Sequence, residues 1–269
     1  MTIHSDNGHG TAVSIESSRE LVLARLTHAS ANPLSPPVLE GLADAADAVE
    51  QSGAAALVVA SGIEGFFAAG ADIKHMKSLD PPGFAAYGAR MRAVFARLAG
   101  LEALTIAAIE GLALGGGLEL SLACKLRIGS PAARLGVPEI KLGLIPGAGG
   151  TQRLPRVIGR SRALDLLVTG RQVAGEEAHA IGLLDRLVDE GEAEKVAVEI
   201  AQRVAGFSRP ALRATDRCVE AAFTLDLEAG ITFEADEEQA LFEDGEASEG
   251  IAAFVGRRAP VFPSVVARG

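Results

Sequence analysis

The sequence has few aromatic residues and almost no cysteine. It contains no Trp, one Tyr and two Cys among 269 residues, and aromatic residues make up only 4%. Leu, Val, Ile and Ala must therefore fill the core, and the hydrophobic content of 48% excludes a chain that is disordered throughout. Two cysteines do not make a disulfide framework, and Cys124 in the run LSLACKL is predicted to be a small buried apolar residue.

Basic residues are absent from one long stretch of the chain. Between Cys218 and Gly256 there are eleven acidic residues and no Lys or Arg, while the rest of the chain has 24 acidic and 25 basic residues. The formal net charge of −10 therefore belongs to an acidic C-terminal segment on a nearly neutral body. Binding to a nucleic-acid backbone needs a basic stripe that releases counterions, so nucleic acid is not an expected partner.

Signals for membranes, export and metal binding are also missing. No apolar run is long and uncharged enough to span a bilayer. The first ten residues, MTIHSDNGHG, have neither the pattern of a secretory signal nor that of an organelle transit peptide, which predicts a cytoplasmic location. No metal site is predicted, because the five histidines are scattered without ligand spacing: His4, His9, His28, His75 and His179.

Strand and helix patterns alternate through about residue 190, as is typical of an α/β core. Segment 20–26 alternates like a half-buried strand, and 55–61 and 105–111 are typical of buried strands. Helices are predicted over 36–51, over 83–99 and after a glycine-rich loop near 115. Beyond residue 190 only helical patterns occur, at 192–205, 210–222 and 226–243. We therefore predict an α/β core over 1–190 and a helical region over 191–269.

The most glycine-dense segment, Gly111–Glu119, precedes a predicted helix. It is not a dinucleotide-binding G-x-G-x-x-G motif, because Leu120 stands where the third glycine is required, and it lacks the ending of a Walker loop. Consecutive glycines before a helix let backbone N–H groups approach an anion or a developing oxyanion. Alternatively, the glycines serve only to let the strand pack tightly against the helix. The segment Gly65–Lys74 offers similar backbone donors, or is an ordinary loop.

Two glutamates have mainly apolar neighbours in the sequence. Glu119 lies between Leu118 and Leu120, and Glu139 follows a proline within a second glycine-rich segment. Apolar surroundings raise the pKa of a carboxyl group, which suits acid–base chemistry near neutral pH, and two such groups can divide the two roles. Each glutamate alone is also typical of a surface or helix-cap position.

Three segments carry a family resemblance by their order and spacing. They are AGADIKHM (69–76), EGLALGGGLEL (110–120) and GVPEIKLGLIPGAGGTQRLPR (136–156), and the segment 159–188 adds a fourth similarity. Together they resemble the enoyl-CoA hydratase/isomerase (crotonase) superfamily, closest in motif to enoyl-CoA hydratase, over about residues 20–260. The resemblance implies an α/β fold, a spiral of β-β-α units with the acyl-CoA site, followed by C-terminal helices for oligomerisation and site closure.

The resemblance also implies a reaction. The carbonyl oxygen of an acyl-CoA thioester would lie between the backbone N–H groups of Ala71 and Gly116, which form an oxyanion hole. Glu119 would activate a water for attack at C3 of a trans-2-enoyl-CoA, and Glu139 would protonate C2. Syn addition of water would give a 3-hydroxyacyl-CoA, as in fatty-acid β-oxidation. No cofactor is implied, because CoA is part of the substrate.

The binding of CoA differs from the family pattern. His28 and Ser30 stand where many members have basic residues that help hold the CoA phosphates. The resemblance implies that Lys74, Phe254, and Arg257 or its neighbour Arg258 contact CoA. The alternative for Phe254 is a place in the core of a helix packing, and the alternative for the two arginines is an exposed tail. It also implies a homotrimer or a homohexamer, a dimer of trimers, in which the acidic C-terminal helices pack between subunits.

The sequence also allows other functions. A Δ3–Δ2-enoyl-CoA isomerase would use Glu139 alone, with Glu119 as a bystander. A non-catalytic RNA-binding relative would need a basic cluster, and a silent scaffold subunit would not need both glutamates and both donor loops. A serine hydrolase built on Ser121 and His75 would need an orienting carboxylate that nothing in the sequence places beside them.

Overall fold

The computed structural model describes residues 11–243 and 246–266. The predictions made for the first ten residues, including His4 and His9, lie outside this part of the chain. The backbone forms two compact units, of which the first ends at Ala201 and the second begins at Gln202. The division of site and oligomerisation between 1–190 and 191–269 stays a prediction.

The described strands of the first unit are short. They are β1 (Val13–Ser17), β2 (Leu21–Leu26), β3 (Ala56–Ser61), β4 (Phe66–Ala68), β5 (Leu104–Ile109), β6 (Leu112–Leu114), β7 (Leu126–Gly129), β8 (Arg134–Gly136), β9 (Gln172–Ala174) and β10 (Arg186–Leu187). One sheet has the order β1-β2-β3-β5-β7-β10, and the other has the order β4-β6-β8-β9.

Helices follow the strands in the first unit and form the described part of the second. The first group is α1 (Pro36–Ser52), α2 (Ile73–Lys77), α3 (Pro81–Ala99), α4 (Gly116–Ala123), α5 (Gly150–Ile158), α6 (Arg160–Thr169) and α7 (Gly175–Ala180), with a 3-10 turn at Pro138–Leu142. Helix α8 (Ala193–Ala205) begins in the first unit and ends in the second. The second group is α9 (Arg209–Ala221), α10 (Leu227–Glu243), α11 (Glu246–Val255) and α12 (Pro263–Val266).

The same β-β-α unit occurs three times, as β3-β4-α2, β5-β6-α4 and β7-β8-α5. In each unit the first strand joins the larger sheet and the second strand joins the smaller sheet. Strands β3, β5 and β7 are parallel neighbours, and so are β4, β6 and β8. Each repeat therefore advances the chain by one strand in both sheets, which makes the predicted spiral.

Helix α1 shows how the sequence sets a local element. Pro36 and Pro37 occupy its first turn, where proline has no hydrogen bond to lose, and Gly53 ends the helix with a φ of 65°. Its buried side chains include Val38, Leu42 and Val49, which share one face at helical spacing. The predicted burial of Cys124 is confirmed, with 3% of the residue exposed.

Segment 20–26 forms a strand, as predicted, but the predicted alternation of buried and exposed side chains along it is wrong. Val22, Leu23 and Ala24 are all buried in β2 instead of alternating. Helix α1 packs on one face of this strand. On the other face Arg25 binds Glu194 at the start of α8, with Nη2 and Oε1 2.8 Å apart. Both faces of β2 are therefore covered by other elements, and the residue pattern of the strand alone does not reveal those elements.

The smaller sheet brings three loops to one edge. Strands β4, β6 and β8 are parallel, so their carboxyl ends lie side by side. Ala71 follows β4 by three residues, Gly116 follows β6 by two, and Glu139 follows β8 by three. The spiral therefore gathers residues that are far apart in sequence at one place.

The second unit contains helices and no strand among its described residues, as predicted. In this unit the buried carboxylate of Glu246 forms hydrogen bonds with residues near both ends. It accepts from Ser264 N at 2.7 Å, and the hydroxyl of Ser208, which lies just before α9, donates to it. Within the residues that the structure describes, no helix has the length and apolar character needed to cross a membrane.

Candidate active site

The glycines before α4 serve two different purposes. Gly115 has φ 53° and ψ −123°, which side chains rarely allow, and its N–H donates to Gly136 O at 2.8 Å. An ideal Cβ on Gly115 would lie 2.6 Å from Glu139 Oε1, so glycine lets that carboxylate come close. An ideal Cβ on Gly117 would lie 2.1 Å from Ala68 O, so this glycine permits tight packing of helix on strand.

Two backbone N–H groups face the same place. Leu34 N donates to Gly70 O at 2.8 Å, and because C=O and N–H point in opposite directions in a trans peptide, Ala71 N–H points away from Leu34. An ideal Cβ on Gly116 would lie 3.4 Å from Ala71 N, so the two residues are adjacent. Neither N–H has an acceptor within the described part of the chain. Gly116 is also the first residue of α4, where the helix dipole favours negative charge.

Glu119 is held firmly inside the protein. It lies on α4 with 2% of the residue exposed, and its Oε1 accepts from Ala148 N and Gly150 N, both at 2.7 Å. Burial raises the pKa of Glu119, whereas these hydrogen bonds and the positive charges of Arg153 and Arg92 lower it. The bonds to Oε1 fix the carboxylate and leave its second oxygen for another partner.

Glu139 has a different environment in the 3-10 turn. Burial, together with the negative charge of Glu119, raises its pKa to about 7. Its Oε2 is buried and accepts no hydrogen bond from the residues that the structure describes. A buried polar atom of this kind generally faces a ligand or water in native proteins. Glu139 is therefore suited to carry a proton at neutral pH and to present it to a bound molecule.

One cavity of about 140 Å³ brings the four predicted chemical residues together: Ala71, Gly116, Glu119 and Glu139. Most of its remaining wall is apolar, and includes the side chains of Met76, Phe84, Met91, Leu144 and Ile145. Two carboxylates and two backbone donors thus face an apolar chamber. Such a chamber can bind an uncharged chain and exchange protons with it, while the donors hold an oxygen that becomes negative.

The predicted CoA contacts are divided between the two units. Lys74 is exposed on α2 in the first unit. In the second unit Phe254 is 85% exposed, so the helix-core alternative for this residue is wrong within the described chain. Arg258 forms an ion pair with Glu249 at 2.6 Å. No ion pair involves Arg257 among the described residues, and its φ of 51° is unusual for a side chain of this size.

Several site residues were not identified from the sequence. Ala148 and Gly150 hold Glu119 through their N–H groups, and the glycine run at 147–150 was the signal that could have revealed them. Arg92 lines the cavity and donates from Nη1 to Gly147 O at 3.0 Å. Tyr87 lines it as well, and no sequence pattern distinguishes this tyrosine from an ordinary core residue.

Two other kinds of site find no support. Ser121 is fully buried and its hydroxyl donates to Leu118 O at 2.8 Å, so it is not placed as a nucleophile. Among the described residues, no group of three or more His, Cys, Asp or Glu side chains is arranged to hold a metal ion.

Known proteins are similar to this chain in sequence and in fold. Residues 17–264 match the family described as Enoyl-CoA hydratase/isomerase. A probable enoyl-CoA hydratase of Rhizobium meliloti is 39% identical over 231 residues, covering 86% of this chain and 89% of that protein. The mitochondrial methylglutaconyl-CoA hydratase of Mus musculus is 34% identical over 251 residues, covering 91% and 80%. The crystal structure of an enoyl-CoA hydratase from Bacillus anthracis has a TM-score of 0.90 at 34% identity, covering 94% and 99%.

The chain therefore belongs to the enoyl-CoA hydratase/isomerase family. The predicted superfamily and the predicted α/β fold with C-terminal helices are confirmed. The prediction of an enzyme of the enoyl-CoA hydratase type is confirmed by the named relatives and structures.

Proposed function

We propose that this protein adds water to a trans-2-enoyl-CoA thioester and forms a 3-hydroxyacyl-CoA. The observation that supports this reaction most strongly is the pair of carboxylates in one apolar cavity, Glu119 and Glu139, each in a different environment. Two carboxyl groups that differ in this way can act as base and acid in the same step.

The thioester oxygen accepts hydrogen bonds from Ala71 N–H and Gly116 N–H. Attack at C3 moves the electrons of the C2=C3 double bond toward the carbonyl, so negative charge develops on this oxygen. Two fixed donors and the N-terminus of α4 stabilise that charge in an apolar cavity. Each donor contributes about 3 kcal/mol by comparison with other oxyanion holes.

Glu119 acts as the base. Its Oε1 is occupied by Ala148 N and Gly150 N, so the other carboxylate oxygen accepts a hydrogen bond from the attacking water. As the water oxygen bonds to C3, one water proton passes to Glu119. Burial raises the pKa of Glu119 overall, and the two backbone bonds oppose that rise by favouring the ionised carboxylate, the form that a base requires.

Glu139 acts as the acid. With a pKa raised to about 7, it carries a proton in a large share of molecules at neutral pH and delivers it to C2 as the enolate collapses. Both groups act on one face of the acyl chain, so the addition is syn. Glu119 gains one proton and Glu139 loses one, so the protons balance, and transfer of a proton from Glu119 to Glu139 through solvent restores the starting state. We therefore propose that no metal ion or redox cofactor takes part.

The apolar cavity wall favours an apolar acyl chain. We propose that the substrates are enoyl-CoA thioesters of fatty-acid β-oxidation or a related acyl-CoA pathway, and that the enzyme acts in the cytoplasm. The name of the mouse relative, methylglutaconyl-CoA hydratase, refers to a branched substrate with a second carboxylate. A panel of enoyl-CoA thioesters that vary in length, branching and terminal charge measures which group this cavity prefers.

We further propose that Lys74, Phe254 and Arg257 contact CoA. The support is chemical: Lys74 and Arg257 are exposed cations suited to phosphates, and the exposed ring of Phe254 is suited to an apolar or stacked contact. We propose a homotrimer or homohexamer as the working assembly.

The change Glu119→Gln tests the reaction. It keeps the shape of the side chain and removes the base, so hydration should fall by roughly 100- to 10,000-fold. Loss of the conjugated enoyl absorbance measures the rate. Glu110→Gln is the matched control, because Glu110 is a half-buried glutamate that does not line the cavity. Undiminished hydration by Glu119→Gln would show that one carboxylate suffices, as in the isomerase alternative.

A further inference from the structure

Tyr87 joins two backbone segments beside the proposed oxyanion hole. It lies on α3 with 7% of the residue exposed, and it lines the cavity. Its hydroxyl donates to Leu34 O at 2.6 Å and accepts from Asp72 N at 3.1 Å. The hydroxyl is therefore fully engaged, and both of its partners are backbone atoms.

These two backbone atoms lie next to Ala71, the residue that provides one of the donors, because Leu34 pairs with Ala71 and Asp72 follows it. Leu34 and Ala71 form an isolated parallel bridge, and on one side of it Leu34 N donates to Gly70 O at 2.8 Å. In a regular parallel ladder, Asp72 N would donate to Leu34 O on the other side. The Tyr87 hydroxyl bonds to both of these atoms. The peptide groups before and after Ala71 are thus both fixed.

We propose that Tyr87 is a positioning residue for hydration: its hydroxyl holds the loop so that Ala71 N–H stays directed at the thioester oxygen. The inference rests on the proposed function, in which Ala71 donates to that oxygen. Tyr87 acts through the loop and exchanges no proton with the substrate.

A buried tyrosine normally finds a hydrogen-bond partner, so a bonded hydroxyl alone indicates only a satisfied core residue. What distinguishes Tyr87 is that its two partners belong to the two backbone segments that the Leu34–Ala71 bridge joins. Burial raises the pKa of Tyr87, which keeps the proton that Leu34 O accepts. The ring of His75 packs edge-on against the tyrosine at 5.2 Å and helps to fix its orientation.

The change Tyr87→Phe keeps the ring and removes the hydroxyl. Deleting an oxyanion donor costs roughly 100- to 1,000-fold in kcat, and loosening one should cost less, about tenfold, with KM changed by less than about twofold. The matched control is Thr105→Val, because Thr105 is fully buried, its hydroxyl accepts from Lys125 N at 2.9 Å, and it does not line the cavity. This control should lose stability and keep its kcat.

A spectroscopic readout separates positioning from packing. Polarisation of the thioester carbonyl by the two donors moves the absorption of a bound 2,4-dienoyl-CoA to longer wavelength. At saturating dienoyl-CoA, Tyr87→Phe should show a smaller shift than the parent protein, and Thr105→Val the parent shift. Parent values of both kcat and absorption in Tyr87→Phe would overturn the inference. A parent protein that neither hydrates an enoyl-CoA nor shifts the dienoyl absorption would instead overturn the proposed function.

A second experiment tests the proposal if the Tyr87→Phe variant does not fold. Because the chain has one Tyr and no Trp, biosynthetic replacement by 3,5-difluorotyrosine changes this position alone and makes its phenol more acidic. Its own absorbance then reports ionisation separately from that of the nearby groups Asp72, His75, Glu119 and Glu139. We expect kcat to fall as the phenol ionises, since a phenolate cannot donate to Leu34 O. A constant kcat through that ionisation would overturn the inference.

Discussion

Glu119 and Glu139 have the same side chain, but the protein surrounds them differently. Glu119 is nearly fully buried and has two N–H donors on one oxygen. Glu139 has a buried oxygen that accepts no hydrogen bond from the described chain. Donors stabilise a carboxylate and their absence favours the neutral acid, so the surroundings assign the base and the acid.

The raised pKa of Glu139 affects stability as well as catalysis. Its pKa is about 7 in the folded protein against an ordinary value of 4.5, so between these pH values the folded protein keeps a proton that the unfolded chain has released. The free energy of unfolding therefore falls as pH rises from about 4.5 to about 7. Glu139→Gln removes this loss, and should melt at a higher temperature than the parent at about pH 8 but not at about pH 4. Thermal melts followed by circular dichroism measure both, and a pH-independent difference would contradict this origin.

The residues that hold Glu119 could not be derived from the sequence. The family motifs pointed to Glu119 itself, but Ala148 and Gly150 lie 29 and 31 residues further along. Their N–H groups reach the carboxylate only because the next turn of the spiral brings the start of α5 against α4. Local sequence patterns do not reveal contacts between successive turns of the spiral.

At the scale of elements, the junction of β6 and α4 sets the distance between the donors and the acid. Gly115 combines a positive φ with close contact to Glu139, and Gly53 has a φ of 65° with no atom near an added Cβ. Gly53→Ala should cost about 1–2 kcal/mol for its left-handed backbone, and Gly115→Ala should cost about 1–3 kcal/mol because its φ and ψ lie in a region open mainly to glycine. Only Gly115→Ala should also displace the carboxylate, and a misplacement of about 1 Å lowers turnover by roughly 100-fold. Hydration rates and denaturant melts of the two variants separate the effects, and equal rates would contradict the account.

Long elements were predictable and short ones were not. Helix α1 and strand β3 were predicted within a residue of their observed ends, since each is long enough to show its apolar pattern. Strands β4, β6 and β8 have three residues each, too few to show any alternation. They nevertheless form the sheet edge that carries the site. The family motifs supplied the site residues where periodicity could not.

At the scale of the molecule, the C-terminal unit combines acidic and apolar surface. Several large apolar side chains of its described helices and of the turn between α9 and α10 are more than half exposed in the single chain: Val219, Phe223, Leu227, Ile231, Phe242, Ile251, Phe254 and Val255. Clustered exposed apolar residues commonly mark an interface. Acidic residues such as Glu237, which pairs with Arg217 at 2.5 Å, lie on the same helices and favour solubility.

This composition leads to a prediction about assembly. We expect the full chain to sediment as a particle of three or six times its 27.6 kDa mass, with the apolar residues of the second unit buried between copies. Sedimentation equilibrium at several protein concentrations measures the mass. A mass of 27.6 kDa at all concentrations would contradict the predicted trimer or hexamer.

The central claim is that two carboxylates add water to one face of a trans-2-enoyl-CoA. Hydration in D₂O tests it most directly, because the hydroxyl at C3 and the deuterium at C2 record the geometry of addition. Proton NMR of the isolated 3-hydroxyacyl-CoA resolves the two diastereomers through the coupling between the protons at C2 and C3. Addition of both groups to one face gives only the syn product. An anti product, a mixture of both, or no hydration at all would contradict it.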